Sequence, residues 1–134
     1  MQIKHSPPPV DQFVAFREAV GWGEIDPLSA QRSIENSLFF VSVYKDKQLA
    51  GFGRVIGDGC LYFYIQDLVV ASRYQGQGVG TAIMTEIEHY LDEVAPTGAT
   101  VGLLAALGKE GFYQSFGYQA RNGEQLGLGL SRVV

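Results

Sequence analysis

Hydrophobic and polar positions along the chain change period several times, and each change marks an element. The triplet Pro7-Pro8-Pro9 stops regular structure. After it, VDQFVAFREAVGW places Val10, Phe13, Val14 and Phe16 at helical spacing. This predicts an amphipathic helix with Phe13 and Val14 inward, ended by Gly21 and Gly23. DPLSAQRSIENS predicts a second, short helix with Asp26 as its N-cap and Pro27 in the first helical position.

The period then shortens to two. Residues 38–44, 48–56 and 60–71 read as strands joined by Lys45-Asp46-Lys47 and by Gly57-Asp58-Gly59, which predicts an antiparallel meander. Beyond it Val79, Ile83, Ile87 and Leu91 recur every fourth residue with Met84 beside them, one buried helix face closed off by Pro96 and Gly98. ATVGLLAAL is apolar enough for a short strand covered on both faces. GKEGFYQSFGY predicts a short helix with Phe112 and Phe116 on one face and Gly117 at its end, and the tail carries a hairpin signal at Asn122-Gly123. The order is strand, two helices, three antiparallel strands, helix, strand, helix, strand: an α/β domain on a mixed sheet.

The bulk numbers narrow the setting. A length of 134 residues predicts a single domain, residues 1–134, with one core. No apolar run reaches the roughly 20 residues of a membrane span, and MQIKHSPPPVDQF has no apolar centre like that of a secretory signal. With Cys60 as the only cysteine, a cytoplasmic protein without disulfides is expected, and Cys60 itself is expected to be a buried spectator thiol. The net charge of -4 and the lack of a Lys/Arg cluster argue against nucleic acid and membrane partners and leave a cationic small substrate favoured by steering. No metal site is expected.

One stretch calls for more. In SRYQGQGVGTAIM, Gly76, Gly78 and Gly80 crowd the start of a helix, where each glycine costs about 1 kcal/mol relative to alanine. The first amides of a helix have no internal partner and, with the helix dipole, form an anion site that glycine lets a phosphate approach closely. A tight turn without a ligand is the competing reading. A Walker loop is excluded, because Thr81-Ala82 follow Gly80 where lysine is required. The dinucleotide fingerprint also fails, since the spacing is G-x-G-x-G and the preceding strands form a meander.

DLVVASRYQGQGVGTAIM resembles the acetyl-CoA-binding motif of the GCN5-related N-acetyltransferases, the GNAT superfamily, whose core is Q/R-x-x-G-x-G/A; Gln75, Gly78 and Gly80 occupy its defining positions. FYQSFGY resembles the family's C-terminal F-Y-x-x-x-G-F element, with Tyr113 in the tyrosine position and Tyr118 replacing the last phenylalanine. The element order follows the family's too, so the resemblance covers nearly the whole chain. It implies a single-domain GNAT-like α/β fold: a mixed central sheet with an antiparallel N-terminal meander and a splayed parallel strand pair, flanked by about four helices. It implies acetyl-CoA as co-substrate, its pyrophosphate on the amides of Gln75, Gly76, Gln77, Gly78, Val79, Gly80 and Thr81. The pantetheine arm would pair with the backbone of Leu68, Val69 and Val70, and the second splayed strand would be residues 101–105.

The resemblance further implies direct attack of an amine on the thioester, with a backbone N–H near Val69 stabilising the carbonyl oxygen. Tyr113 is the implied proton donor to the leaving thiolate, a phenol of pKa about 10 facing a thiol of about 8.5. The family's glutamate base falls near Tyr64. Asp67 is the only carboxylate on that strand, a catalytic candidate or equally a structural acceptor, and alternation places it opposite Tyr64 and Gln66. His5 and His89 are not placed in the site. Gln75 and Gln77 stand where many relatives carry Arg or Lys, leaving phosphate to the amides with Arg73 assisting, and Ala106 replaces a common asparagine. The acceptor implied is a primary amine of a small molecule, with a peptide N-terminus or lysine as alternatives; Phe16, Trp22, Phe40, Tyr62 and Tyr64 are candidate liners. Rival readings are a non-catalytic acyl-CoA sensor and a structural domain with an empty turn. A homodimer through the C-terminal strands is common among relatives.

Overall fold

The computed structural model describes residues 1–134, which divide into two compact units, Met1–Leu103 and Leu104–Val134. The first unit runs β1 (Gln2–Lys4), α1 (Val10–Ala19), α2 (Pro27–Glu35), β2 (Phe39–Lys45), β3 (Gln48–Gly57), β4 (Tyr62–Val70), a 3-10 turn (Ser72–Tyr74), α3 (Val79–Val94) and β5 (Thr100–Leu103). Its five strands form one sheet in chain order. β1 to β4 pair antiparallel and β4 pairs with β5 parallel, which is the mixed α/β sheet expected. No helix is long and apolar enough to cross a membrane.

Helices cover both faces of this sheet. α3 buries Val79, Ile83, Met84, Ile87 and Leu91, the stripe legible in the sequence, each side chain stabilising by about 1.5–3 kcal/mol. It can lie close because β3 presents glycine there: a Cβ at Gly53 would stand 2.8 Å from Ile83 Cγ2 and 3.3 Å from Ile87 Cδ1. Further along the same face Phe39 stacks on Tyr90 at 4.3 Å. The other face carries Phe40 and Phe52, which with Phe13 of α1 and Ala30 and Ile34 of α2 form a buried cluster. Phe13 and Phe16 lie 5.3 and 5.1 Å from Phe52, ring to ring. α2 starts as its sequence requires, with Asp26 accepting from the Ser29 N–H at 2.9 Å and Pro27 following.

The second unit contains α4 (Glu110–Gln114) and a tail. Three expectations fail along the chain. No hairpin forms at Asn122-Gly123: the Asn122 side chain accepts the Glu124 N–H at 2.9 Å, a local turn that competes with strand pairing, and residues 119–134 are exposed. The strand expected over residues 101–105 is Thr100–Leu103, because its pairing to β4 ends at Ile65↔Leu103. Cys60 is exposed on the β3–β4 turn and not buried as expected. The turn is organised by Asp58, whose Oδ1 accepts the N–H groups of Cys60, Leu61 and Tyr62, and this lifts the thiol away from the core.

Candidate active site

The turn between β4 and α3 is built around two left-handed positions. Gly76 and Gly78 have φ of 76° and 83°, and at neither would a Cβ meet an atom within 4 Å. The strain that excludes other residues is therefore conformational, and the space beside both glycines is open. Gly78 is the N-cap of α3 and makes no side-chain cap, so the amides of Val79, Gly80 and Thr81 lack intrahelical partners. The neighbouring side chains turn elsewhere. Gln75 Nε2 donates to the Val70 carbonyl at 3.2 Å, tying the turn to the end of β4, and Gln77 Nε2 donates to the Arg73 carbonyl at 3.2 Å. Arg73 reaches Gln48 Oε1 at 2.9 Å and lies over the Tyr74 ring. The cation brought to the turn is Lys45, whose Nζ donates to Gln77 Oε1 at 2.6 Å. In the sequence Lys45 is only part of a hairpin turn; its place at the end of β2 beside the glycines depends on register.

β4 departs from regular geometry where it approaches this turn. Arg54 pairs with Gln66 and Phe52 with Val69, so Gly53 faces two residues, Asp67 and Leu68, in a β-bulge. The Ala71 N–H donates to the Ala50 carbonyl, which by alternation makes Phe52/Val69 a hydrogen-bonded pair and turns the amides of Leu68 and Val70 away from β3. Pairing with β5 has already stopped at Ile65, so β4 beyond that point has no strand partner on its second edge. The Val69 amide itself is directed at β3; the donors left for a ligand are its neighbours.

Asp67 has φ of 58° at this bulge. The left-handed turn brings its side chain onto the same face as Gln66, whose Nε2 donates to Asp67 Oδ1 at 2.9 Å. The expectation that Asp67 lies opposite Gln66 is thus corrected, because alternation does not survive a bulge. The carboxylate has no exposed surface and accepts from Arg17 Nη1 at 2.6 Å and from Arg54 Nε at 3.0 Å. Arg54 continues to the Ser33 carbonyl and to the hydroxyls of Ser33 and Ser37.

The sequence of residues 14–133 matches the family model of the acetyltransferase (GNAT) domain. The chain belongs to the GNAT family. It is 31% identical over 105 residues to an uncharacterized, ycf52-like N-acetyltransferase of Prochlorococcus marinus, a match covering 75% of this chain. The chain spans about half the length of the curated relatives it matches, 57% in that case. Among solved structures, a protein of unknown function and probable acetyltransferase from methicillin-resistant Staphylococcus aureus is 30% identical, with a TM-score of 0.87 and 98% of both chains covered. A GNAT family acetyltransferase of Streptococcus pneumoniae is 26% identical, with a TM-score of 0.78 and coverage of 99% of this chain and 97% of its own.

The second GNAT motif lies in the other unit. Tyr113 sits on α4, half-buried, its ring edge-on to Phe112 at 5.1 Å, and Phe112 meets Phe116 at 5.4 Å. Burial raises the Tyr113 phenol above its ordinary value of 10.0, which keeps it protonated and able to donate. Of the aromatic residues proposed to line an acceptor site, Phe40 is core. Phe16 is half-buried against Phe52, while Trp22 and Tyr62 are exposed at 41% and 63%. Nothing in the sequence spacing pairs Arg17 and Arg54 around Asp67; the one visible signal is a charged residue, Arg54, inside the apolar run of β3.

Proposed function

We propose that this GNAT chain is an acetyl-CoA-dependent N-acetyltransferase acting by direct attack of a primary amine of a small molecule, in the cytoplasm. The observation that carries it is the meeting of two sets of backbone donors in one unit: the uncapped start of α3 beside Gly76 and Gly78, and the outward amides of Leu68 and Val70 on β4. Gln75, bonded to the Val70 carbonyl, links the two. A diphosphate fits the first set, since the space a Cβ would fill is open and no side chain caps the helix. Lys45 adds a cation beside it. An extended amide-bearing chain fits the second set by β-type pairing. Acetyl-CoA carries both groups and supplies the thioester.

In this reading the turn amides from Gln75 to Thr81 hold the diphosphate and the β4 edge aligns the thioester. An outward β4 amide stabilises the charge that grows on the carbonyl oxygen. Tyr113 donates a proton to the departing sulfur, on the strength of its motif position and of a phenol that burial keeps neutral. Asp67 is not the base: both its oxygens already accept from guanidinium groups. The acceptor enters as the free amine, its proton lost to solvent, so kcat/KM is expected to rise about tenfold per pH unit below the amine pKa, near 10.4 for a lysine-like amine.

One observation favours a second reading. With Asp67 occupied, β4 offers no carboxylate base, as suits an acyl-CoA-binding sensor. Calorimetric titration with acetyl-CoA together with a thiol-release assay over polyamines, aminoglycosides, amino acids and peptides separates the two. Binding with release establishes the transferase, and binding without release on any amine establishes the sensor. No binding removes both.

A further inference from the structure

Three charged side chains converge beneath the β4 bulge at a cost that stability alone does not explain. A buried ion pair contributes little net stability, because desolvation offsets the attraction. Here one carboxylate, wholly buried, lies between two guanidinium groups whose side chains are 20% and 9% exposed. Both cations flank the Phe13 ring, at 5.7 and 5.8 Å. Arg17 Nε is moreover buried without any acceptor. A buried donor without a protein partner adds nothing to stability, so the geometry it belongs to needs another explanation.

That geometry is the backbone at Asp67. Without the left-handed conformation there, Asp67 and Leu68 would continue the ladder and alternation would run unbroken through β4. With it, β4 gains one residue over β3 between two hydrogen-bonded pairs, and the Leu68 amide faces the edge that β5 leaves unpaired. The carboxylate is tied from three directions: from α1 by Arg17, from β3 by Arg54, and from its own neighbour Gln66. Arg54 is in turn fastened to the end of α2 through Ser33 and Ser37. The turn at Asp67 is thereby braced against three separate elements.

We infer that Asp67, Arg17 and Arg54 are positioning residues: their buried pairs hold the β4 bulge so that the Leu68 amide points at the thioester carbonyl. The inference rests on the acetyl-CoA reading above and assigns to these three side chains the orientation of its carbonyl-polarising donor. None of them touches the reacting atoms.

The test reads that donor without needing the acceptor amine. In the binary complex of the wild-type chain with carbonyl-labelled acetyl-CoA, infrared difference spectroscopy is expected to show the thioester stretch displaced to lower frequency than in free acetyl-CoA. Asp67→Ala is expected to lose that displacement while calorimetry finds the acetyl-CoA dissociation constant within about threefold of wild type, the signature of an interaction outside uniform binding. Asp67→Asn, which tolerates the left-handed conformation and keeps one acceptor oxygen while turning an NH2 donor toward the other guanidinium, is expected to restore it in part. With a productive amine, kcat of Asp67→Ala falls by about 10²–10³, as for loss of one oxyanion donor, at unchanged KM for acetyl-CoA. Should Asp67→Ala fail to fold, Arg17→Gln, which leaves the Arg54 pair in place, decides by the same readouts. A displacement that survives in the folded variants overturns the inference alone. Wild-type protein that binds no acetyl-CoA overturns the proposed function and the inference with it.

Discussion

Gly51 and Gly78 each resist substitution, for different reasons that replacement by alanine can separate. At Gly78 the conformation is left-handed and the surroundings open, so Gly78→Ala is expected to cost about 1–2 kcal/mol in strain and to weaken acetyl-CoA binding. At Gly51 a Cβ would stand 2.6 Å from the Val69 carbonyl oxygen, which is backbone and cannot swing aside. Gly51→Ala is expected to cost about 1–3 kcal/mol as overpacking, read by urea denaturation. Tyr113→Phe is expected to keep KM and lower kcat about 10²-fold, the lower end for a general acid, in steady-state kinetics. The glycines and the tyrosine were legible as letters in two motifs. Asp67 was legible as a carboxylate but its surroundings were not. Strand alternation assigns it one face, a single left-handed residue assigns it the other, and aspartate only tolerates that conformation without announcing it.

At the scale of elements, α2 carries the clearest pH dependence. The Asp26 carboxyl is held below its ordinary value of 3.8, first by its bond to Ser29. A depressed folded pKa contributes stability above the unfolded value, and that contribution disappears as pH falls through the folded one. Acid titration below about pH 4, followed by far-UV circular dichroism, is expected to show α2 losing stability that an Asp26→Ala variant never had. The start of α2 was readable because cap and proline agree there, and the buried face of α3 because its four-residue repeat is unbroken, although α3 runs 16 residues where about three turns were expected. Local agreement also explains the meander, whose turns fell where aspartate and glycine interrupt the β-branched runs. β5 was placed but drawn too long, since its end is set by where pairing to β4 stops, a property of another strand. The Asn122-Gly123 signal misled for a related reason: a hairpin needs two runs willing to pair, and the asparagine side chain found a partner two residues on.

For the molecule as a whole, charge and ligand linkage supply the tests. On the proposed small-amine reading, a net charge of -4 favours the approach of a cationic acceptor, so kcat/KM for a polyamine is expected to fall as salt rises from about 0.01 to about 0.15 M, while that for a neutral amine moves little. Acetyl-CoA at 100 times its dissociation constant is expected to raise unfolding stability by about 2.7 kcal/mol in denaturant melts. The family match through residues 14–133 runs across both compact units, as does the pair of motifs, glycine turn in one and tyrosine in the other. The exposed Cys60 has a practical bearing on all of this. As the chain's sole sulfhydryl, held at the tip of a carboxylate-pinned turn, it will react with the same chromogenic disulfides used to count liberated coenzyme A, one equivalent per chain. Blanks without amine must subtract it, and a Cys60→Ser background, or a dye fixed at that one point, turns the nuisance into a reporter.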